Sequence, residues 1–104
     1  MDTDTTIFSS TITNCGTGIE TVGQGKKNIN ITGNRLENNT DGITLFSRAE
    51  NVTIEDNVIK NSNPTYAAIL VYPDSGEIKI INISFNNIKY SIKSQDFNVK
   101  LFEE

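Results

Sequence analysis

Apolar residues recur along the chain in short alternating runs. Asn28-Ile29-Asn30-Ile31 and Asn51-Val52-Thr53-Ile54 alternate strictly, and Ile43-Thr44-Leu45 keeps the same period. A period of two sends successive side chains to opposite faces of an extended chain. Each run therefore predicts a short strand with one buried face. No helical apolar stripe of useful length is present, and there are only three Ala and four Leu, so helices are not expected.

The runs repeat. The segments Ile7–Asn14, Ile31–Asn38, Ile54–Asn61 and Ile83–Tyr90 align on the pattern aliphatic-x-x-Asn-x-aliphatic-x-Asn. Ser10 replaces the first Asn in the first copy, and Tyr90 the second Asn in the last. A second block follows each one: Gly18-Ile19-Glu20-Thr21-Val22, Gly42-Ile43-Thr44-Leu45-Phe46, Ala68-Ile69-Leu70-Val71-Tyr72 and Ser91-Ile92-Lys93. Ile12, Leu36, Ile59 and Ile88 are spaced by 24, 23 and 29 residues, and Ile19, Ile43, Ile69 and Ile92 by 24, 26 and 23. A third strand precedes the first block from the second copy onward, the last being Ile80-Ile81-Asn82-Ile83. Two landmarks thus keep one period, with three short strands in each repeat.

Few architectures use that unit. A meander needs tight turns such as Asp-Gly between opposed strands, and Asp41-Gly42 is the only such pair. A propeller blade needs about 40 residues, and the leucine-rich pattern is missing. The expected fold is all-β: a right-handed, single-stranded parallel β-helix of about four coils, with a short C-terminal strand or cap. Coils occupy residues 1–93. The terminal strand or cap occupies 94–104, where Phe97 to Glu104 alternates apolar and polar.

The series Asn34, Asn57 and Asn86 resembles the asparagine ladder of pectate-lyase-like β-helices. The resemblance covers roughly residues 5 to 93. It implies stacked Asn side chains that satisfy buried amides beside a left-handed turn residue. A second partial column is expected from Asn14, Asn38, Asn61 and Tyr90. The fold hosts lyases, hydrolases, epimerases, tailspikes and adhesins, so the resemblance implies fold more than activity.

The phase of the second block sets its faces. Glu20, Thr44, Leu70 and Lys93 are expected to stack outward, as are Val22, Phe46, Tyr72 and Gln95. Val22, Phe46, Leu70 and Tyr72 then form an outer apolar patch, which predicts an oligomer interface, or cover by a loop or by the C-terminal tail. Threefold packing of parallel β-helices, as in phage tailspikes, is what the resemblance implies for that patch. Between Ile80 and Ile81 the apolar phase shifts, which predicts a bulge or a covered face. No amphipathic cap precedes the first coil. That predicts a piece of a longer chain, or an edge that a partner covers.

Composition agrees with this picture. The 104 residues include 14 Asn, 15 Ile and 12 Thr, which suits β-branched strands broken by Asn turns. A net charge of −4 gives no electrostatic footprint for nucleic acid. With no His and one Cys, zinc sites, His-based triads and internal disulfides are excluded, and no cofactor or metal is expected. No apolar run is long enough to span a bilayer, and no signal peptide is visible near Met1.

No carboxylate pair of glycosidase type stands out, because Thr44 and not an acid follows Glu20 on the next coil. The reading therefore leans away from catalysis. Glu37, Glu55 and Asp56 read as solvated turn residues. Cys15 reads as a small turn residue. Four Asn-x-Ser/Thr matches, at Asn30, Asn38, Asn51 and Asn82, are expected by chance in this composition. The longest insertions are 62–66 and 73–77, where Tyr66 and Asp74 are the candidate ligand contacts. The expected function is a structural, receptor-binding segment of a homotrimeric phage tailspike or fibre, located in the virion tail and touching a host-surface polysaccharide. The alternative is a non-catalytic fragment of a β-helix polysaccharide lyase, hydrolase or epimerase, secreted or at a bacterial cell surface.

Overall fold

The computed structural model describes residues 3–61, 67–88, 91–94 and 100–103. The chain winds through three parallel sheets in turn. Its first pass comprises β1 (Thr6–Phe8), β2 (Thr11–Thr13) and β3 (Thr17–Thr21). The second comprises β4 (Lys27–Thr32), β5 (Arg35–Glu37) and β6 (Asp41–Leu45). The third comprises β7 (Glu50–Glu55), β8 (Val58–Lys60) and β9 (Ala67–Val71). The fourth comprises β10 (Glu77–Ile81), β11 (Ser84–Asn86) and β12 (Ile92–Ser94), and β13 (Lys100–Glu103) follows.

Sheet A is ordered β1-β4-β7-β10-β13, sheet B β2-β5-β8-β11 and sheet C β3-β6-β9-β12. Each strand pairs in parallel with its equivalent one coil away, so four passes stack by three steps in sheets B and C. This is the expected solenoid.

The core is a set of apolar columns. Ile7, Ile31, Ile54 and Ile80 form one in sheet A, and Ile29, Val52 and Ile78 another. Ile12, Leu36, Ile59 and Phe85 line sheet B, and Ile19, Ile43, Ile69 and Ile92 line sheet C. Members in the second and third coils are fully buried, whereas Ile7, Ile12, Phe85 and Ile92 at the ends are partly buried. Each buried Ile or Leu removes apolar surface worth roughly 1.5–3 kcal/mol.

Left-handed residues mark the corners. Before sheet A they are Gly25, Arg48 and Asp74, at φ 73, 62 and 64°. Asp4 just before β1, and Asn28 and Asn51 in the first residues of β4 and β7, follow at 61, 57 and 53°. Between sheets A and B stand Ser9, Gly33, Asp56 and Asn82, at 50, 67, 56 and 52°. Between B and C stand Asn14, Asn38 and Asn87, at 59, 58 and 55°. Short polar side chains tolerate this region better than other L residues, which explains much of the Asn content.

The fourth coil departs from the expected alignment by three residues. Ile78 and Ile80 pair with Val52 and Ile54, and Ser84 pairs with Val58. The strand expected at Ile80–Ile83 is therefore Glu77–Ile81, and Phe85, not Ile88, continues the Ile59 column 26 residues on. The reason is the corner. The expected alignment places Phe85 at the left-handed position, where a bulky side chain is strained, whereas the observed one places Asn82 there. The register runs unbroken through Ile81, which lies beside Glu55 and is half-buried, so the phase shift is not a bulge.

Candidate functional site

Two amide ladders run inside the corners. Asn34 and Asn57 are buried, and each clamps the preceding coil with both ends of its side chain. Asn34 Oδ1 accepts from Ser10 N at 3.0 Å, and its Nδ2 donates to Ile7 O at 3.0 Å. Asn57 Oδ1 accepts from Asn34 N at 2.8 Å, and its Nδ2 donates to Ile31 O at 2.8 Å. Asn34 Nδ2 also donates to Asn57 Oδ1 at 3.1 Å. A buried backbone group without such a partner costs about 1–3 kcal/mol.

Asn86 does not join this ladder. It pairs with Lys60 on an exposed strand position, and Ile83 takes the place after the left-handed residue Asn82. This follows from the three-residue shift.

The second column also differs from the expected one. It links Cys15, Asn39, Asn61 and Asn87, of which Asn61 and Asn87 stand level with Asn14 and Asn38, while Cys15 and Asn39 stand one residue later. Cys15 N donates to Asn39 Oδ1 at 2.8 Å, and Asn39 Nδ2 donates to Ile12 O at 3.2 Å. Asn61 Nδ2 donates to Asn39 O at 2.7 Å, and Asn87 Nδ2 donates to Asn61 O at 2.6 Å. Asn14 and Asn38 are left-handed corner residues just before Cys15 and Asn39 and are exposed, as is the left-handed Asn87. Tyr90 lies outside the described residues.

Sequence reasoning missed a third, exposed set. Asn28 Nδ2 donates to Asp4 Oδ1 at 2.8 Å, Asn51 Nδ2 to Asn28 Oδ1 at 2.7 Å, and Asn82 Nδ2 to Asp56 Oδ1 at 2.7 Å. The signal was present: Asn28 and Asn51 open two copies of the same strand motif 23 residues apart.

On sheet C the outward columns are Glu20, Thr44, Leu70 and Lys93, then Val22, Phe46 and Tyr72 just beyond the strands. The Phe46 and Tyr72 rings stack with centroids 5.1 Å apart and planes 7° apart, so the pair bridges two coils. Both are half-buried, and Val22 is 59% exposed. Leu70 is only 6% exposed, and its neighbour Thr44 is also buried, so Leu70 has little surface left to offer a partner. Gln95 lies outside the described residues.

Of the two candidate ligand contacts, Tyr66 lies outside the described residues. Asp74 is exposed at a corner that stacks on the Arg48 corner of the coil before it. Arg48 N donates to Pro73 O at 3.3 Å and Gly76 N to Ala49 O at 2.7 Å. Residues 73–77 therefore form a regular corner, and not the insertion their composition suggested.

The acids are dispersed. Glu37 meets Arg35 at 2.5 Å, Glu50 meets Lys27 at 3.5 Å, and Glu20 is exposed beside Thr44 of the next coil. Among the described residues no cluster of three or more His, Cys, Asp or Glu could hold a metal ion. Asp41 Oδ1 is a buried polar atom without a hydrogen-bond partner.

No curated protein and no solved structure matches the chain. A family described as "Right handed beta helix region" matches residues 1–85, which takes in β1 to β10 and the start of β11. The parallel coils and that match together assign the chain to the right-handed β-helix family.

Proposed function

We propose that this β-helix is a structural, receptor-contacting segment of a homotrimeric phage tailspike or fibre, carried in the virion tail and touching a host-surface polysaccharide. The observation that supports the trimer is the outer edge of sheet C. There the half-buried Phe46–Tyr72 stack and the exposed Val22 occupy matching positions on three successive coils. Such rows favour association with matching copies. The saturated ladders support a passive, rigid role, because their side-chain amides are engaged in holding coils together. Sugar contact rests on Asp74 and on Tyr66, whose residue types suit a hydroxyl and a ring face.

Light scattering is the test. A mass three times the 11.5 kDa of one chain is expected. A single-chain mass at all concentrations would remove the trimer. A host-glycan panel probed for binding, and separately for bond cleavage, tests the polysaccharide contact. Cleavage without added enzyme would favour the lyase, hydrolase or epimerase reading.

A further inference from the structure

Charge runs in opposite order along the two flanks of the Val22, Phe46 and Tyr72 row. On one flank lies the outward column Glu20, Thr44, Leu70 and Lys93. On the other lies the corner column Gly25, Arg48 and Asp74. Its members share a left-handed φ, and Gly25 N donates to Ser47 O as Arg48 N does to Pro73 O. Followed in chain order, the first column passes from an acid to a base and the second from a base to an acid.

Arg48 is out of place in its column. Every other non-glycine residue at positive φ among the described residues is Asp, Asn or Ser. A long side chain at such a corner carries strain that the turn itself does not require. Arg48 is exposed, and its Nη2 donates to Oε1 of Gln24, a neutral group. Arg35, Lys27 and Lys79 instead meet Glu37, Glu50 and Glu77. Glu20 is exposed and makes no ion pair with a described residue.

We infer that, in the threefold assembly proposed above, Glu20 of each copy pairs with Arg48 of the next. The pairing presupposes that trimer and specifies its contacts. Around a threefold axis parallel to the stack every contact is heterologous, so one flank of the row faces the opposite flank on the neighbouring copy. With copies at equal height, Glu20 stands one coil step, roughly 4.8 Å, from the level of the neighbour's Arg48. The Arg side chain is long enough to span that step. Gln24 already holds the guanidinium while leaving most of its donors for a carboxylate, so little side-chain freedom is lost on pairing. Lys93 and Asp74 lie one step apart in the same way, with the signs exchanged. Complementary charge of this kind fixes register between copies.

An antiparallel pair related by a twofold axis would match each column with its own reverse. Glu20 would then meet Lys93, and Arg48 would meet Asp74. Lys93 and Asp74 already have partners. The parallel arrangement instead joins Glu20 to Arg48, an acid without an ion pair to a base held by a neutral amide.

Sedimentation equilibrium on the 104-residue chain tests the pairing by the concentration at which half of the chains are assembled. Glu20→Arg is expected to raise it about tenfold or more, because two bases then face each other at every contact. Arg48→Glu is expected to do the same from the other side. Both changes in one chain are expected to return it to within about threefold of the unaltered value. Circular dichroism checks each fold. The Glu20→Arg arm does not touch a turn, so it decides alone if Arg48→Glu disturbs its corner. A threefold mass that Glu20→Arg does not weaken overturns the pairing and leaves the trimer standing. Rescue of Glu20→Arg by Lys93→Glu, and not by Arg48→Glu, overturns it in favour of antiparallel copies. A single-chain mass for the unaltered protein overturns the trimer and the pairing together.

Discussion

Asn at different places in one coil does different work, and the structure separates the roles by burial and φ. Six Asn sit at left-handed corners, where their side chains lower the strain of the turn. Asn34, Asn57, Asn39 and Asn61 are buried and bond coil to coil. Asn86 does neither. Replacing Asn57 with Ala strands Asn34 N and Ile31 O in the interior and is expected to cost about 1–3 kcal/mol. Asn86→Ala is expected to stay within about 0.5 kcal/mol, as exposed substitutions do. Urea unfolding of the two variants checks the pair, and equal losses would contradict the assignment of Asn57 to the ladder and Asn86 to the surface. The buried polar group Thr21 follows the same logic, since its Oγ1 accepts from Phe46 N at 3.0 Å.

At the scale of the element, sheet C enters through a column of small residues. A Cβ on Gly42 would lie 2.5 Å from Ala68 O and 3.1 Å from Ile59 Cγ2, and one on Gly18 would lie 2.8 Å from Gly42 O. At Gly18 and Gly42 the carbonyl oxygen of the next coil stands where a Cβ would go, so no side chain fits at those two positions. Gly42→Ala is expected to cost about 1–3 kcal/mol through overpacking against backbone that cannot yield. Gly16→Ala meets nothing within 4 Å, and Gly16 is not among the left-handed residues. It is expected to be neutral, or to stabilise by about 0.4–1 kcal/mol through the unfolded chain. Thermal melts of the two variants should therefore move apart. A similar loss in both would mean that the entry to sheet C is not packed as described.

For the molecule as a whole, the outer edge of sheet C carries the trimer reading. Changing Phe46 and Tyr72 together to Lys is expected to reduce a threefold mass to that of one chain while the β-sheet spectrum persists. A mass that stays threefold would place the interface elsewhere. Leu70→Ala tests the core and not the interface: it is expected to lower stability by about 2–5 kcal/mol, as burial dictates, and to leave the mass unchanged. A loss of assembly at full stability would return Leu70 to the interface.

The sequence alone determined the solenoid, its three strands per coil and the inward phase of Ile19, Ile43 and Ile69. Those features follow from local alternation repeated at one period, and parallel stacking is the arrangement that buries every copy of such a strand. It also placed Asn34 and Asn57 in one column, because each follows an inward aliphatic residue, Ile31 or Ile54, at the same distance in two copies of the motif. The tertiary structure decided the fourth coil. The aliphatic and Asn pattern favours one alignment, but the chain adopts another three residues away, with Ile83 in the Asn place and Phe85 in the aliphatic one, and the choice turned on which residue could adopt a left-handed corner. That condition selected Asn82 over Phe85 and removed Asn86 from the ladder. Burial of Leu70 and Thr44 on a nominally outer face was likewise invisible in a period of two, which gives the direction of a side chain but not what packs over it.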